Sequence, residues 1–224
     1  MNKKQLIHAC LLAIFLLKTL VAAEPVRASF QIDIHDQAKL QRGAALFMNY
    51  CSGCHSLRFM RYNRLAEDIG LTTFDGKVDR NLLSNLIFTS AKIGDPIEIS
   101  MPATDAREWF GIMPPDLSLS ARERGVHWIY SYLKGFYADK ARPFGTNNVL
   151  VPDTAMPNVL YPLANLRQEE YERMLEDLLT FLVYVGEPTQ KIRYRLGWIV
   201  LPFLGIFCIV AYFLKRSYWK KIIP

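Results

Sequence analysis

A run of 19 residues without a charge, residues 196–214, lies near the C-terminus of this 224-residue chain. An α-helix of that length is about 28 Å long, close to the ~30 Å thickness of the hydrocarbon layer of a bilayer. Trp198 at one end and Tyr212 at the other suit the two membrane interfaces, and four basic residues follow the run. The run predicts one transmembrane helix, and we place the membrane anchor at residues 191–214.

The N-terminus has the plan of a secretory signal peptide. Residues 1–23 combine a basic start, an apolar centre and small residues at the end, so cleavage is expected after Ala23. A retained membrane helix is the alternative, because short anchors have similar hydropathy. Export would place residues 24–190 on the periplasmic side of a bacterial inner membrane. The chain would then cross that membrane once, with the basic tail, residues 215–224, in the cytoplasm.

The charge distribution argues against nucleic acid as a partner. The whole chain has a formal net charge of +6, but all 21 acidic residues lie within residues 24–190. That segment has only 17 basic residues and therefore a net charge of −4, whereas the other bases flank the apolar segments. Binding to nucleic acid needs clustered cations on the folded body, which this distribution does not provide.

Periodicity predicts two amphipathic helices in the body. Asp36 is a suitable N-cap for a helix that runs to about Tyr50, and Gly43 would allow another helix to approach closely. Apolar residues recur at three- and four-residue steps over residues 166–185, which predicts the second helix. Proline and glycine punctuate the middle of the body, and no strand alternation is sustained. We therefore predict a mainly α body with long loops, plus one C-terminal transmembrane helix.

The most informative motif is CSGCH, in which Cys51 and Cys54 are followed at once by His55. This is the attachment pattern of a c-type haem: each thiol forms a thioether, and the imidazole coordinates the iron. Cysteines about one helical turn apart face the same porphyrin edge. A disulfide, a redox-active pair and half of a zinc site are the alternatives. The motif predicts one covalently bound haem c, which makes residues 24–190 a c-type cytochrome domain.

The residue on the opposite face of the iron separates an electron carrier from a catalyst. A methionine thioether raises the reduction potential, whereas an open position suits catalysis. Met156 stands directly before a proline in a loop, where a rigid scaffold can present it. Spacing alone leaves other candidates open, with Met101 and Met113 the main competitors: His35, His127, Met48, Met60, Met101, Met113 and Met174.

Four features occur in a fixed order along the chain: CSGCHSLRFMRYNRL at 51–65, PPDLSLSARERG at 114–125, TAMPNVL at 154–160, and one anchor after an amphipathic helix. Together they resemble the cytochrome c1 family in its bacterial form. Its members are the haem subunits of the quinol:cytochrome c oxidoreductase, complex III. The resemblance covers nearly the whole chain after residue 23.

The resemblance implies a set of haem-binding residues. Met156 would be the sixth ligand, so that His55 and Met156 are the two metal ligands. The carbonyl of Pro115 would accept a hydrogen bond from Nδ1 of His55, which fixes the ring and makes it more basic. Arg124 would pair with a haem propionate, with Arg122 as the nearby competitor. The implied set has no catalytic residue and comprises Cys51, Cys54, His55, Met156, Arg124 and Pro115.

The same resemblance implies an electron-transfer subunit. It would pass single electrons from a Rieske iron–sulfur protein to a cytochrome c, beside cytochrome b in a dimeric membrane complex. A terminal-oxidase haem subunit, a membrane-anchored haem peroxidase or reductase, and a haem-based gas sensor are the alternatives. The body lacks the long acidic insertion of mitochondrial members, which weakens the expectation of docking through an acidic patch.

Three arginines repeat at helical spacing just after the CxxCH motif: Arg58, Arg61 and Arg64. We expect them to form a solvated face of the body, and contact with a neighbouring subunit is the alternative.

Overall fold

The computed structural model describes residues 30–87 and 89–220. Its helices are α1 (Gln37–Tyr50), α2 (Tyr62–Asp68), α3 (Arg80–Ser84), α4 (Ala103–Phe110), α5 (Ser120–Glu123), α6 (Val126–Lys134), α7 (Gln168–Gly186) and α8 (Gln190–Trp219). A short 3₁₀ helix covers Tyr161–Leu163. Long loops join these helices, so the predicted mainly α fold is confirmed. The predicted signal peptide, residues 1–23, lies outside the described residues and stays a prediction.

Helix α1 begins where its cap was predicted. The carboxylate of Asp36 accepts a hydrogen bond from the backbone N–H of Lys39 at 3.1 Å, which satisfies one of the free donors of the first turn. The helix buries one face, and its last residue is Tyr50. The buried apolar side chains of that face are those expected from the periodicity: Leu40, Ala44, Phe47 and Met48.

Helix α1 packs on α7 in the most extensive contact between helices of the body. Gly43 allows the two helices to approach this closely. A Cβ atom at this position would lie 2.6 Å from the Cβ of Phe181 and would also meet the backbone carbonyl of Asp177. The rings of Phe47 and Phe181 lie 5.7 Å apart. The guanidinium of Arg42 donates to both carboxylate oxygens of Asp177, at 2.6 and 3.0 Å. These contacts fix the C-terminal end of α1, where the CxxCH motif begins.

Within the described ranges, four short strands form two antiparallel pairs that the sequence did not indicate. Strand β1 (Leu57–Arg61) pairs with β2 (Pro96–Ile97), and β3 (Phe136–Ala138) pairs with β4 (Thr146–Asn148). Arg58 and Arg61 therefore lie on a strand, and the helical spacing of the three arginines was misleading. Strand β1 is stabilised by pairing with β2, which lies about 40 residues further along the chain. Local periodicity around Arg58 cannot indicate such a distant partner.

Helix α8 extends beyond the apolar run at both ends. The segment Ile192–Trp219 is long enough to cross a membrane. Its most apolar 18-residue window has a mean hydropathy of 2.3, and none of that window is buried against the protein. It contains the predicted residues 196–214. Proline at position 202 is accommodated inside the helix, as membrane helices allow. The transmembrane helix is therefore confirmed. Residues 215–219, which the sequence assigned to the basic tail, continue this helix.

Candidate functional site

The CxxCH motif occupies the turn that follows α1. The backbone N–H groups of Cys54 and His55 both donate to the carbonyl of Cys51, at 3.0 and 2.8 Å. Cys51 and Cys54 thus lie one turn apart, as the motif predicts. Burial raises the pKa of both thiols, that of Cys51 to about 12, where the neighbouring Cys54 adds to the effect. No disulfide joins the two cysteines.

The disulfide and zinc alternatives find no support in the described part of the chain. Cys51, Cys54 and Cys208 are all unbridged there. Over residues 30–87 and 89–220, no group of three or more histidine, cysteine, aspartate and glutamate side chains is arranged to hold a metal ion. A structural zinc site needs four protein ligands. In a haem the porphyrin supplies four nitrogen ligands, so the protein has to supply only the axial ones.

The imidazole of His55 is nearly buried and held in one orientation. Its Nδ1–H donates to the backbone carbonyl of Pro115 at 2.7 Å. Burial lowers the pKa of His55, against the opposing effects of this hydrogen bond and of Asp116. Because Nδ1 carries the proton, the lone pair of the neutral ring is on Nε2, which is the atom left for a metal. The hydrogen bond implied by the resemblance is present in the structure.

The segment that presents Pro115 is joined to the segment after the motif. Three hydrogen bonds connect them: Leu117 N to Ser56 O at 2.9 Å, Arg58 N to Asp116 Oδ2 at 2.9 Å, and Phe59 N to Ser118 Oγ at 3.2 Å. Asp116 also accepts from the N–H of Ser118, the local bond typical of an aspartate in a turn. Sequence reasoning missed the roles of Asp116 and Ser118, although a short polar residue directly after two prolines was the available indication.

The two arginines considered for the propionate have different surroundings. Nη1 of Arg122 lies 3.6 Å from a carboxylate oxygen of Glu187, which also binds Arg193 at the start of α8. The guanidinium of Arg124 stacks on the ring of Trp128, 4.4 Å from its centroid, and is exposed. A stacked guanidinium keeps its N–H edge available for an anion. These positions favour Arg124 over Arg122, whose charge Glu187 already balances.

Met156 is half-buried in the loop between β4 and the 3₁₀ helix. A pocket of about 270 Å³ with mainly apolar walls is lined by Thr154 and Ala155, the two residues before Met156. Its other lining residues come from the C-terminal end of α4, and from the loop before β4 together with the first residue of that strand: Trp109, Phe110 and Gly111; Arg142, Pro143, Phe144 and Thr146. The structure thus brings the segment leading to the acceptor of His55 and the Met156 loop to one pocket. Ligation by Met156 stays a prediction.

The other ligand candidates have less suitable positions. Met48 and Met60 are 4% and 1% exposed and belong to the core, which is the ordinary role of a buried methionine. Met174 is half-buried on α7, and His35 is exposed just before α1. Met101 and Met113 are half-buried at either end of the segment containing α4, so they remain the competitors of Met156.

The donor set of the site fits a covalently bound haem. Two neutral thiols one turn apart match the spacing of two vinyl groups on one porphyrin edge, and a fixed imidazole beside them has its Nε2 free. An available guanidinium suits a propionate, which is costly to bury without a cation. These groups come from two segments of the chain, residues 51–55 and residues 115–124.

Comparison with known proteins identifies the family. The model of the Cytochrome C1 family matches residues 27–222. The cytochrome c1 of Allochromatium vinosum is 46% identical over 222 residues, covering 87% of this chain and 88% of that protein. The ammonia monooxygenase gamma subunit of Nitrosomonas europaea is 40% identical over 209 residues, covering 85% and 86%. The mitochondrial cytochrome c1 heme protein of Schizosaccharomyces pombe is 27% identical over 221 residues, covering 84% and 68%.

The family match assigns the cofactor and the mode of membrane attachment. Covalent haem c is the cofactor of the motif at residues 51–55, and α8 is the membrane anchor. The 46% identity to a bacterial cytochrome c1 places the chain with the bacterial form. Because the match runs without interruption from before α1 to the end of α8, this chain belongs to the cytochrome c1 family.

Proposed function

We propose that this chain is the haem subunit of a quinol:cytochrome c oxidoreductase, in which it passes single electrons from a Rieske iron–sulfur protein to a cytochrome c. Membership of the cytochrome c1 family supports electron transport as the function. The observation that carries the proposal is the 2.7 Å hydrogen bond from His55 Nδ1 to the Pro115 carbonyl. It holds one axial ligand rigidly, so little reorganisation accompanies a change of charge at the iron.

The proposed role of each residue combines its position in the structure with what the family resemblance implies. When bound, haem supplies a one-electron Fe(III)/Fe(II) couple. Cys51 and Cys54 would form the thioethers that hold the haem, and His55 Nε2 and Met156 would be its two protein ligands. With both ligands supplied by the chain, no position on the iron would be left for a substrate. A carrier needs this arrangement, whereas a peroxidase or nitrite-type reductase needs an open position, so the ligand set favours the carrier.

Arg124 is expected to tune the reduction potential, and Arg122, two residues earlier in the sequence, supplies a matched control. Replacing Arg124 with glutamine removes a cation beside a propionate, which stabilises the oxidised iron and lowers the potential. A tenfold change in the redox equilibrium corresponds to about 59 mV for one electron, and we expect a fall of that order. Arg122→Gln should leave the potential unchanged, because Glu187 already balances that charge. Potentiometric titration of both variants measures the difference, and equal effects would contradict the assignment.

The anchor places the proposed complex in a membrane. We propose that the haem domain lies on the periplasmic side of a bacterial inner membrane, with the C-terminus in the cytoplasm. Cytochrome b and the Rieske protein would be neighbours in a dimeric complex. Capture of the tagged chain from detergent-solubilised membranes should recover both subunits. Recovery of a copper-containing oxidase, or of ammonia monooxygenase subunits as the name of the Nitrosomonas relative suggests, would contradict the proposal.

The direction of electron flow is tested on the captured complex. Quinol should reduce the haem of this chain within one turnover, and oxidised cytochrome c should then reoxidise it. Removing the Rieske protein should abolish the first step and leave the second intact. Haem reduction that persists without the Rieske protein would refute the proposed donor. A pyridine haemochrome spectrum with intact mass should also show one covalent haem and a mature chain that begins at residue 24.

A further inference from the structure

Strand β4 holds the backbone of the loop that carries Met156. Asn148 is fully buried, and its Oδ1 accepts from the N–H groups of Leu150 and Val151 at 2.9 and 3.2 Å. Asn147, also buried, accepts from the N–H of Asp153 at 2.9 Å through its Oδ1. Two neighbouring asparagine side chains of β4 thus accept hydrogen bonds from three backbone N–H groups of the loop. Buried amides with all these partners specify one loop conformation rather than several.

Arg142 binds the same loop from the other side. Its Nη1 donates to Oδ1 of Asp153 and its Nη2 donates to the backbone carbonyl of Asp153, both at 2.8 Å. Arg142 also lines the same pocket as Thr154 and Ala155, the two residues before Met156. A planar guanidinium offers two donors in a fixed geometry, so it holds the side chain and the backbone of one residue together. Its Nε is buried and has no hydrogen-bond partner within the described residues, so Nη1 and Nη2 make its hydrogen bonds there.

Asp153 is the point where these contacts meet. It has a φ of +61°, and it is the only non-glycine residue in the described part of the chain with a positive φ. Residues other than glycine, asparagine and aspartate rarely adopt this left-handed conformation. Here the N–H, the carbonyl and the carboxylate of Asp153 are each bound, by Asn147 and Arg142. The surroundings therefore fix this turn, which lies three residues before Met156.

We propose that Arg142 and Asn147 are positioning residues for Met156. By fixing Asp153, they keep the loop that carries Met156 in one conformation. The loop therefore does not have to become ordered when the thioether binds the iron. A neutral thioether is a weak ligand, so its bond to iron depends on how little loop freedom is lost when it forms. This inference rests on the proposed ligand role of Met156. It adds that the contacts of Asp153, three residues before the ligand, set the strength of the sulfur–iron bond.

The test uses the full-length haem protein in detergent and compares three variants. Arg142→Ala should weaken the long-wavelength sulfur-to-iron absorption band and lower the potential. A tenfold loss of ligand binding to the reduced iron relative to the oxidised iron corresponds to about 59 mV. The reduced protein should also begin to bind carbon monoxide, which competes for the freed position. Arg142→Lys retains the charge but not both donors, so its effects should be intermediate, and it remains measurable if the alanine variant accumulates poorly.

Arg64→Ala is the matched control. Nε of Arg64 donates to Asp68 at 2.7 Å in an ion pair remote in sequence from the loop, so its loss tests general stability alone. The proposal expects this variant to keep the band, the potential and the inertness to carbon monoxide. Unchanged properties in Arg142→Ala, or equal changes in Arg64→Ala, would overturn it. If Met156→Ala alters the spectrum and Arg142→Ala does not, the ligand assignment stands and only the positioning role is refuted.

Discussion

Replacing Met156 with alanine is expected to abolish the long-wavelength sulfur-to-iron band and to lower the reduction potential sharply. Thioether sulfur stabilises the reduced iron, and its loss leaves the position to water or to a harder ligand that stabilises the oxidised iron. Axial ligands shift haem potentials over a range of about 0.8 V, and we expect a fall on the order of 0.2–0.4 V here. Optical spectra and potentiometric titration of the full-length protein in detergent measure both effects.

Two other methionines provide the controls for this experiment. Met101 and Met113 are the competing candidates, and both are half-buried in the segment around α4. Met101→Ala and Met113→Ala should keep the band and the potential of the unmodified protein. A variant of either that loses the band while Met156→Ala keeps it would transfer the ligand role to that residue.

Loss of the ligand must also be separated from loss of the haem. Cys51, Cys54 and His55 lie in the turn after α1, and none of them depends on the Met156 loop for its backbone hydrogen bonds. Met156→Ala should therefore retain one covalent haem in a pyridine haemochrome assay. A variant that contains no haem would indicate that the loop is needed for assembly, and Met156→His would then supply the measurement of potential with a different axial ligand.

The elements that sequence alone predicted correctly are those with local determinants. Asp36 caps α1 through an N–H three residues away, and the apolar periodicity of α1 and α7 is contained within each helix. The same holds for the apolar run of α8, although α8 extends to Gln190–Trp219 because the flanking polar residues also form helix and no strong breaker interrupts them. Caps, periodicity and length require no knowledge of the fold.

The features that sequence missed depend on distant partners. Strand β1 pairs with β2 with Leu57 opposite Ile97, and nothing in the sequence near Arg58 records that pairing. The bond between His55 and Pro115 spans 60 residues, and only the family resemblance indicated it. Distant contacts of this kind decide where a short strand or a loop lies, so local patterns cannot predict them.

The polar residues that support the site form a second class of omission. Arg142 and Asn147 belong to no periodic pattern, and in the sequence an arginine in a loop is indistinguishable from a solvated one. Their contacts with Asp153 become apparent only when the turn at its positive φ is seen. Likewise, the choice between Arg122 and Arg124 follows from Glu187, which lies more than 60 residues further along the chain.

Gly43 provides the prediction with the largest effect on stability. In an isolated helix, alanine is favoured over glycine by about 1 kcal/mol, so Gly43→Ala would stabilise α1 if only propensity mattered. The packing opposes this gain, because the new Cβ would meet the backbone carbonyl of Asp177 and lie 2.6 Å from the Cβ of Phe181. A backbone atom of a neighbouring helix cannot rotate away, so the two helices must separate.

Overpacking of a core typically costs about 1–3 kcal/mol, and separating the principal helix pair places this variant at or above the upper end. We therefore expect Gly43→Ala to lower the free energy of unfolding by about 2 kcal/mol or more after the gain in propensity. Gly94→Ala is the control, since its Cβ meets nothing within 4 Å. Thermal unfolding of the full-length haem protein in detergent, followed by circular dichroism, compares the two.

The same variant connects helix packing with the haem site. Helix α1 ends at Tyr50, and the turn bearing Cys51 and Cys54 continues directly from it, so a shift of α1 away from α7 displaces the motif relative to Pro115. Gly43→Ala should therefore also lower the yield of covalent haem, whereas Gly94→Ala should not. An unfolding temperature equal to that of the unmodified protein would mean that α1 and α7 do not approach at Gly43. The packing that holds the motif would then have to lie elsewhere on α1.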